Sequence, residues 1–373
     1  MDAEIIGFAT EKLANLEARD LRRSLKPTSR RGAAATRDDD TLISFSDNDY
    51  LGLGTEPEVI AAGIDAAKKF GAGAGASRLV TGDVPLNQRV EDRLAAIKGT
   101  EAALLFGSGY LANIGAIPVL AGPEDVIILD ELSHSCIHAG AALSRARVIR
   151  FRHNDVDHAA QVLRDAAPFR RALIITETVF SMDGDRAPLQ DLAALCANHH
   201  AWLMTDDAHG LGVIDANNPA PVQMGTLSKA AGAYGGYVCG PQALIDLLVN
   251  RARSFVYTTG LPPFVLGAAD KALEIIASDK ARREKVLANA RLFCRLAGLD
   301  EPQSAIVPLI LGEADAALAF SARLQAEGFL VTAIRPPTVP EGTARLRFAF
   351  SALHREADIR RLAENVNSFR AAA

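Results

Sequence analysis

The chain has 373 residues, of which 49% are hydrophobic and 23% are charged. Its 40 Lys and Arg residues face 45 Asp and Glu residues, which gives a formal net charge of -5. This composition excludes extended disorder, and the mildly acidic charge argues against binding to nucleic acid or to an anionic membrane. No segment approaches the ~18 consecutive apolar residues that a membrane span requires. At about 150 residues per domain, the length predicts two or three domains.

The cysteines are widely spaced and form no Cys-x-x-Cys pair, which is typical of reduced, mostly buried thiols. They are Cys136, Cys196, Cys239 and Cys294. The first residues, Met1 to Glu4, are acidic where a secretory signal would be basic. His134 and His138 could share one face of a helix, but no acidic or cysteine partner stands at a helical interval from them. We therefore expect a cytoplasmic enzyme without a metal site.

Residues 1–47 begin with a helical pattern and then become basic and loop-like, so we expect an N-terminal helix and arm. In residues 48–265, short apolar runs alternate with longer helix-like stretches. The runs are 102–106, 126–129, 172–176, 202–205 and 222–224, and the helix-like stretches include 113–120, 135–144, 157–166 and 189–198. Strands that are apolar on both faces and separated by helices indicate a mainly parallel sheet covered on both sides.

Residues 266–373 begin, just after the Pro262-Pro263 pair, with a long helical stretch and continue as a mixed pattern. Strands are expected near 305–311, 331–334 and 345–350, and helices near 314–327 and 357–370. The sequence therefore predicts an α/β protein with a large domain over 48–265 and a smaller α+β domain over 266–373.

Each predicted strand of the large domain runs into a cluster of polar or small residues. These clusters are 107–110 (GSGY), 130–134 (DELSH), 177–181 (ETVFS), 206–210 (DDAHG) and 225–229 (GTLSK). Ligands of open α/β sheets bind outside the carboxyl ends of the strands. We therefore expect these clusters to meet in one active site.

Three of these clusters together describe a site for pyridoxal 5′-phosphate. Gly109 opens a helix whose free N–H groups favour a phosphate, although a tight turn alone explains many Gly-x-Gly sequences. Asp206 could hold a proton on a ring nitrogen and His209 could bond the ring's phenolic oxygen, or they could be a cap and a structural histidine. Lys229, three residues after Thr226, could form a Schiff base or be a solvated charge. In combination these parts match that cofactor.

The sequence resembles the α-oxoamine synthases, which are fold-type-I pyridoxal-phosphate enzymes that condense an amino acid with an acyl thioester and release carbon dioxide. The resemblance spans nearly the whole chain. Its motifs are 45–53 (FSDNDYLGL), 108–110 (SGY), 130–134, 179–185 (VFSMDGD), 206–210, 225–229 and 235–237 (GGY). Residues 332–347 resemble most the branch that joins L-alanine to a pimeloyl thioester in biotin biosynthesis.

The resemblance implies roles for residues around the cofactor ring. Lys229 would carry the cofactor and remove the substrate's Cα proton, and Asp206 would pair with the ring nitrogen. His209 and Ser181 would contact the phenolic oxygen, while His134 would stack on the ring and assist protonation. These assignments make Lys229, His134, Asp206 and His209 the expected catalytic residues.

The resemblance also implies contacts with the phosphate and the substrates. The residues around the phosphate would be Ser108, Gly109, Tyr110 and Thr226. Thr259 matches a family residue that reaches the neighbouring subunit's cofactor, which implies a homodimer. Arg347 would bind the amino-acid carboxylate, although a solvent-facing strand arginine is the alternative. Arg22 and Asn48 match positions near the acyl substrate and the carboxylate.

Two departures and three alternatives stay open. Residues 71–78 (GAGAGASR) replace a serine-rich stretch of the family, and Asn87 stands where a histidine is common, so the acyl-chain preference is open. The acyl group could arrive on coenzyme A or on a carrier protein. A sister synthase using glycine or serine, another fold-type-I reaction such as retro-aldol cleavage, and a non-catalytic subunit are the alternatives. Lys229 argues against the last, since such subunits typically lack that lysine.

Overall fold

A computed structural model of the protein describes residues 2–19, 21–214 and 217–371. The helices are α1 (Asp2–Glu17), α2 (Pro57–Phe70), α3 (Pro85–Lys98), α4 (Gly109–Leu120), α5 (Ser135–Ser144), α6 (Val156–Asp165), α7 (Leu189–Asn198), α8 (Gln242–Arg251), α9 (Arg253–Val256), α10 (Pro263–Ser278), α11 (Lys280–Ala297), α12 (Ala314–Ala326) and α13 (Glu356–Ala371). The strands are β1 (Ser29–Arg31), β2 (Ala34–Arg37), β3 (Asp40–Ser44), β4 (Ala102–Phe106), β5 (Val126–Asp130), β6 (Arg147–Phe151), β7 (Ala172–Glu177), β8 (Trp202–Asp206), β9 (Val222–Thr226), β10 (Gly236–Gly240), β11 (Ile306–Gly312), β12 (Phe329–Leu330), β13 (Thr332–Ile334) and β14 (Ala344–Ala349).

The chain forms two compact units. One contains Met1–Asp47 with Ala288–Ala373, and the other contains Asn48–Leu287. Within the described residues 2–19, 21–214 and 217–371, none of the helices combines the length and apolar character needed to cross a bilayer. All four cysteines are free and buried, as the sequence predicted.

The unit over Asn48–Leu287 is built on a seven-stranded sheet in the order β4-β10-β9-β8-β7-β5-β6. Strands β6, β5, β7, β8 and β9 pair in parallel, and β10 runs antiparallel to both β9 and β4. The prediction of a mainly parallel α/β sheet is confirmed, and each predicted strand lies within an observed one. Strands β6 and β10 were not predicted.

The sheet is covered on both faces because alternate residues of each strand enter different cores. On β5, Ile127 and Leu129 pack with residues of α4 and α5. Val126 and Ile128 of the same strand pack with residues of α6 and α7. Successive strand residues point to opposite faces of a sheet, so a strand buried on both faces reads as continuously apolar.

The other unit has two small sheets, in the orders β11-β14-β13 and β1-β2-β3-β12. Its core is rich in aromatic side chains, including Phe45, Phe293, Phe348 and Phe350. The strands and helices predicted for the C-terminal region are confirmed to within a few residues. The loop-like interpretation of the N-terminal arm is wrong, because β1, β2 and β3 form antiparallel ladders there.

Candidate active site

The strand ends that the sequence singled out lie at one edge of the seven-stranded sheet. Strands β5, β7, β8 and β9 pair in parallel, and β4 has the same direction because both it and β9 are antiparallel to β10. Their carboxyl ends therefore face the same side. Asp206 is the last residue of β8 and Thr226 the last residue of β9. The fold brings the polar clusters together as expected.

Lys229 begins a chain of hydrogen bonds that runs through an imidazole to a buried phenol. Its Nζ lies 2.8 Å from Nε2 of His209. On the other side of the ring, Nδ1 lies 2.6 Å from the hydroxyl of Tyr50. That hydroxyl also donates to Oδ1 of Asn48 at 3.1 Å. A tight turn after β9, in which Gly232 N–H donates to the Lys229 carbonyl, directs the lysine toward these groups.

Asp206 is a buried carboxylate held by two donors. Its Oδ2 accepts from Nδ2 of Asn113 on α4 at 2.9 Å, and its Oδ1 accepts from the Ala208 N–H at 2.9 Å. Burial raises the pKa of Asp206 above its ordinary value, while the nearby Lys229 amine and these hydrogen bonds oppose the rise. A buried carboxylate of this kind needs a cationic or N–H partner to stay ionised.

His134 lies at the start of α5, where its Nδ1 accepts from the Cys136 N–H at 3.3 Å and lies 2.8 Å from the Cys136 sulfur. Its own backbone N–H donates to Oε1 of the buried Glu177 at 2.6 Å. Desolvation lowers the pKa of His134, with Asp206 opposing and Lys229 reinforcing that effect. Burial, together with the charge of Asp206, raises the pKa of Glu177 well above its ordinary value. This raised pKa favours the neutral form of Glu177, which carries no negative charge beside Asp206.

The first turn of α4 and the end of β9 enclose a space suited to an anion. Ser108 caps the helix by accepting from the Leu111 N–H at 3.2 Å. The N–H groups of Gly109 and Tyr110 belong to the first turn, which has no intrahelical acceptors for them. Oγ1 of Thr226 lies 2.7 Å from Oγ of Ser228. The Thr226 hydroxyl lies next to the positive end of α4, since a Cβ added at Gly109 would be 3.6 Å from Oγ1 of Thr226.

Known proteins identify the family. The family model for aminotransferase class I and II matches residues 40–366. A protein of Methylobacterium sp. (strain 4-46) named 8-amino-7-oxononanoate synthase is 57% identical over 368 residues, covering 98% of this chain and 97% of that protein. The chain belongs to the class I and II aminotransferase family, among its α-oxoamine synthases.

Solved α-oxoamine synthases share this architecture. A variant of serine palmitoyltransferase from S. paucimobilis, solved with a bound PLP–myriocin aldimine, has a TM-score of 0.90 at 29% identity and covers 99% of this chain and 98% of its own. The 8-amino-7-oxononanoate synthase from Francisella tularensis has a TM-score of 0.75 at 26% identity, covering 89% of this chain and 98% of its own. The predicted resemblance to α-oxoamine synthases and the fold-type-I architecture are confirmed.

The residues of this α-oxoamine synthase fit pyridoxal 5′-phosphate. A Cβ added at Gly109 would lie 3.3 Å from the Cβ of Thr226, so the glycine keeps the space between the helix start and the threonine hydroxyl open. Buried Asp206 offers the acceptor that a protonated ring nitrogen requires. Lys229 supplies the amine, held by His209 beside the same edge. The site thus offers the start of α4 with Thr226 to the phosphate, Asp206 to the ring nitrogen and Lys229 to the aldehyde.

The loop that contains Ser181 is held in place by hydrogen bonds to the imidazole of His153. His153 bridges two carboxylates, with Nδ1 3.0 Å from Asp130 and Nε2 2.8 Å from Asp185. Burial alone would lower the pKa of His153, but these two hydrogen bonds outweigh it and raise the pKa to about 10. The imidazolium therefore joins the end of β5, after which the chain leads to His134, to the loop of Ser181.

The remaining predicted residues have other surroundings. Arg347 on β14 is buried, which excludes the solvent-facing alternative for it. Arg22 is half exposed and pairs with Glu17 at 2.8 Å. Both arginines belong to the unit that contains the chain's two ends. Tyr110 and Thr259 are exposed. Among the described residues, no group of three His, Cys, Asp or Glu side chains is arranged to hold a metal.

Several residues that shape the site were not predicted as site residues, namely Tyr50, Asn113, Cys136, Glu177, Lys98 and Asp207. Asn113 had a detectable signal, since it is a polar residue in the otherwise apolar α4 and lies one turn after Gly109. Lys98 pairs with Asp207, which also accepts from the hydroxyl of Thr178. This second buried carboxylate is thereby neutralised next to Asp206.

Proposed function

We propose that the enzyme catalyses the decarboxylative condensation of L-alanine with a pimeloyl thioester. The products are 8-amino-7-oxononanoate, carbon dioxide and a free thiol, and the cofactor is pyridoxal 5′-phosphate. The observation that carries this proposal is the full-length identity of 57% with a protein named 8-amino-7-oxononanoate synthase. The reaction places the chain in biotin biosynthesis.

When bound, pyridoxal phosphate supplies an aldehyde that links covalently to amines and a protonated ring that accepts the electrons released at Cα. Lys229 is the group that removes the Cα proton of alanine. His209, 2.8 Å from the Lys229 amine, orients it and links it to the phenol of Tyr50. Base catalysis by a positioned side chain typically contributes about 10²- to 10⁴-fold.

Asp206 keeps a proton on the ring nitrogen, and its two protein donors keep the carboxylate ionised and oriented. His209 and Ser181 are assigned to hydrogen bonds with the phenolic oxygen of the cofactor. The phosphate is assigned to Ser108, Gly109, Tyr110 and Thr226. We assign His134 to the thioester carbonyl and the carboxylate of the substrates. These roles rest on the match of each residue to the family motifs and on the contacts described above.

The substrate-binding roles rest on the family motifs. We assign Arg347 to the carboxylate of alanine, because a planar guanidinium binds a carboxylate in bidentate fashion. Arg22 and Asn48 are assigned to the neighbourhood of the acyl chain and the carboxylate. Localisation in the cytoplasm stays a prediction from the sequence.

A thiol-release assay tests the reaction. Purified holoenzyme is given alanine, glycine or serine with acyl thioesters of several lengths, on coenzyme A and on a carrier protein. One methyl group in a fitted pocket changes kcat/KM by about 10- to 100-fold, so alanine should exceed glycine by that factor. Lys229→Ala supplies the background rate. Preference for glycine or serine would favour the sister synthases, such as the serine palmitoyltransferase whose structure is similar.

We further propose that the enzyme is a homodimer in which Thr259 serves the neighbouring subunit's site. The segment of Leu79 and Val80 lies beside the segment of Thr259, since a Cβ added at Gly260 would be 2.9 Å from the carbonyl oxygen of Gly82. Leu79, Val80 and Tyr257 on these segments are 53%, 74% and 75% exposed. The Gly260 N–H donates to the carbonyl of Ala76 at 3.0 Å, which holds the segment 257–260 against the segment 76–82. Such a patch is typical of an interaction surface.

Light scattering measures this assembly. We expect twice the chain mass of 39.6 kDa for the wild type and a shift toward the monomer for Val80→Asp. Leu143→Asp is the control, because Leu143 is 60% exposed but belongs to α5 rather than to either of the two segments. A monomeric wild type, or equal effects of both substitutions, would contradict the assignment.

A further inference from the structure

A continuous series of hydrogen bonds joins the ring-nitrogen carboxylate to the imidazole of His134. Nδ2 of Asn113 donates to Oδ2 of Asp206 at 2.9 Å and to the sulfur of Cys136 at 3.0 Å. The same sulfur lies 2.8 Å from Nδ1 of His134. Asn113, Cys136 and Asp206 are all buried. The series connects two groups with different roles in the proposed reaction.

Each link in this series has a direction fixed by its chemistry. The carboxylate of Asp206 accepts, so Asn113 must present its NH2 group toward both Asp206 and the sulfur. The sulfur therefore accepts from Asn113 and is left with its own S–H to donate. The backbone N–H of Cys136 also donates to Nδ1 of His134, at 3.3 Å. A nitrogen that accepts from an amide N–H carries no proton in the neutral ring, so the S–H points at a lone pair.

We propose that Cys136 is a positioning residue that fixes the tautomer of His134, so that the proton is on Nε2 and this N–H faces the substrate. Because Nδ1 is engaged on the protein side and the residue is exposed, Nε2 is the nitrogen available to a ligand. His134 then acts on the thioester carbonyl or the carboxylate as a neutral hydrogen-bond donor. This inference rests on the proposed function of His134.

The charges around the ring agree with a neutral imidazole. The charges of Asp206 and Lys229 affect the pKa of His134. Two other titratable groups are near it, His138 on α5 and Glu177, which accepts a hydrogen bond from the His134 backbone N–H. Desolvation lowers the pKa of His134 and Asp206 opposes it, with the lowering dominant. Burial raises the pKa of the Cys136 thiol to about 12, so the sulfur keeps the proton that it donates.

Nitrogen NMR of the holoenzyme tests the tautomer directly. Protein with 15N-labelled histidine gives long-range correlations that identify the protonated ring nitrogen, and His134→Gln assigns the signal. An ordinary hydrogen bond changes an equilibrium by about 3- to 10-fold. We therefore expect Cys136→Ala to shift the tautomer ratio by that factor, to raise the pKa of His134 and to lower kcat for thiol release about 3- to 10-fold.

Two further variants separate the hydrogen bond from general effects. Cys136→Ser keeps a donor hydroxyl and should restore the Nε2–H tautomer and most of kcat. Cys196→Ala removes a thiol that is likewise buried but belongs to the core with α6 and α7, and it should leave the His134 signal unchanged. If Cys136→Ala does not fold, Cys136→Val, which has no donor and a similar volume, replaces it.

The outcomes are distinct. An Nδ1–H tautomer in the wild type, or an unchanged signal in Cys136→Ala, overturns the inference. A shifted tautomer with unchanged kcat overturns the positioning role. Because the tautomer is measured without substrate, a wild type that releases no thiol but shows Nε2–H would refute the proposed function and leave the hydrogen-bond assignment standing.

Discussion

Lys229→Ala is expected to abolish the covalent attachment of the cofactor and to lower turnover by at least about 10³-fold, within the range of a lost positioned base. The amine lies 2.8 Å from His209 in the turn after β9, whereas Lys98, also near the site, pairs with Asp207. Borohydride reduction of the wild-type holoenzyme followed by peptide mass analysis should place the cofactor on Lys229. The variant should show no labelled peptide and little exchange of the alanine Cα proton in deuterated water.

Lys229→Arg is the matched control because it keeps a cation beside His209 but cannot link to an aldehyde at neutral pH. If the positive charge alone mattered, this variant would retain activity. We expect it to lose attachment and proton exchange as Lys229→Ala does, with an unchanged thermal unfolding temperature. Labelled peptide at another lysine, or proton exchange at the wild-type rate in either variant, would refute the role of Lys229.

The strands of the central sheet could be predicted from the sequence because a strand buried on both faces is a continuous run of apolar residues. β5 and β7 are apolar at nearly every position, so their bounds were found to within a residue or two. β10 was missed because it begins and ends with glycine. β2 and β3 were missed because each buries few side chains, such as Ala35 and Leu42, among charged neighbours. A half-buried strand with small residues resembles a loop.

The site was predictable where chemistry follows a strand end and unpredictable where it depends on packing. Asp206 ends β8, and His209 and Lys229 follow β8 and β9, respectively. The rule that ligands bind at the carboxyl ends of parallel strands therefore places the three together from the sequence alone. Asn113 and Cys136 are on two different helices, α4 and α5. Their hydrogen bonds depend on how closely these helices pack over the sheet. The spacing of residues along the chain does not predict that distance.

Asp206→Asn is expected to lower turnover about 10²- to 10³-fold, because a nearby opposite charge shifts the pKa of a bound group by about 1–3 units. The new amide can still accept from the Ala208 N–H, but its NH2 would then face the NH2 of Asn113. Asn113 can resolve this by turning over, since its Oδ1 is buried and without a hydrogen-bond partner. The fold should therefore be preserved while the ring nitrogen loses its counter-charge.

The same rotation would also disturb His134. With Oδ1 of Asn113 turned toward the sulfur, the S–H of Cys136 could donate to that oxygen instead of to Nδ1 of His134. We therefore expect Asp206→Asn to alter both the pH dependence of the bound cofactor's absorbance and the tautomer of His134. Absorbance titration and nitrogen NMR of the same holoenzyme preparation measure the two effects.

Asp207→Asn is the matched control, because Asp207 is the adjacent buried carboxylate but pairs with Lys98. Removing that charge leaves a buried ammonium without its partner, which typically costs about 3–5 kcal/mol. Asp207→Asn should therefore lower the thermal unfolding temperature, whereas Asp206→Asn should change the cofactor spectrum and turnover at nearly constant stability. If Asp206→Asn instead lost stability to the same extent and kept its turnover, Asp206 would be a structural carboxylate and the ring partner would have to be another group.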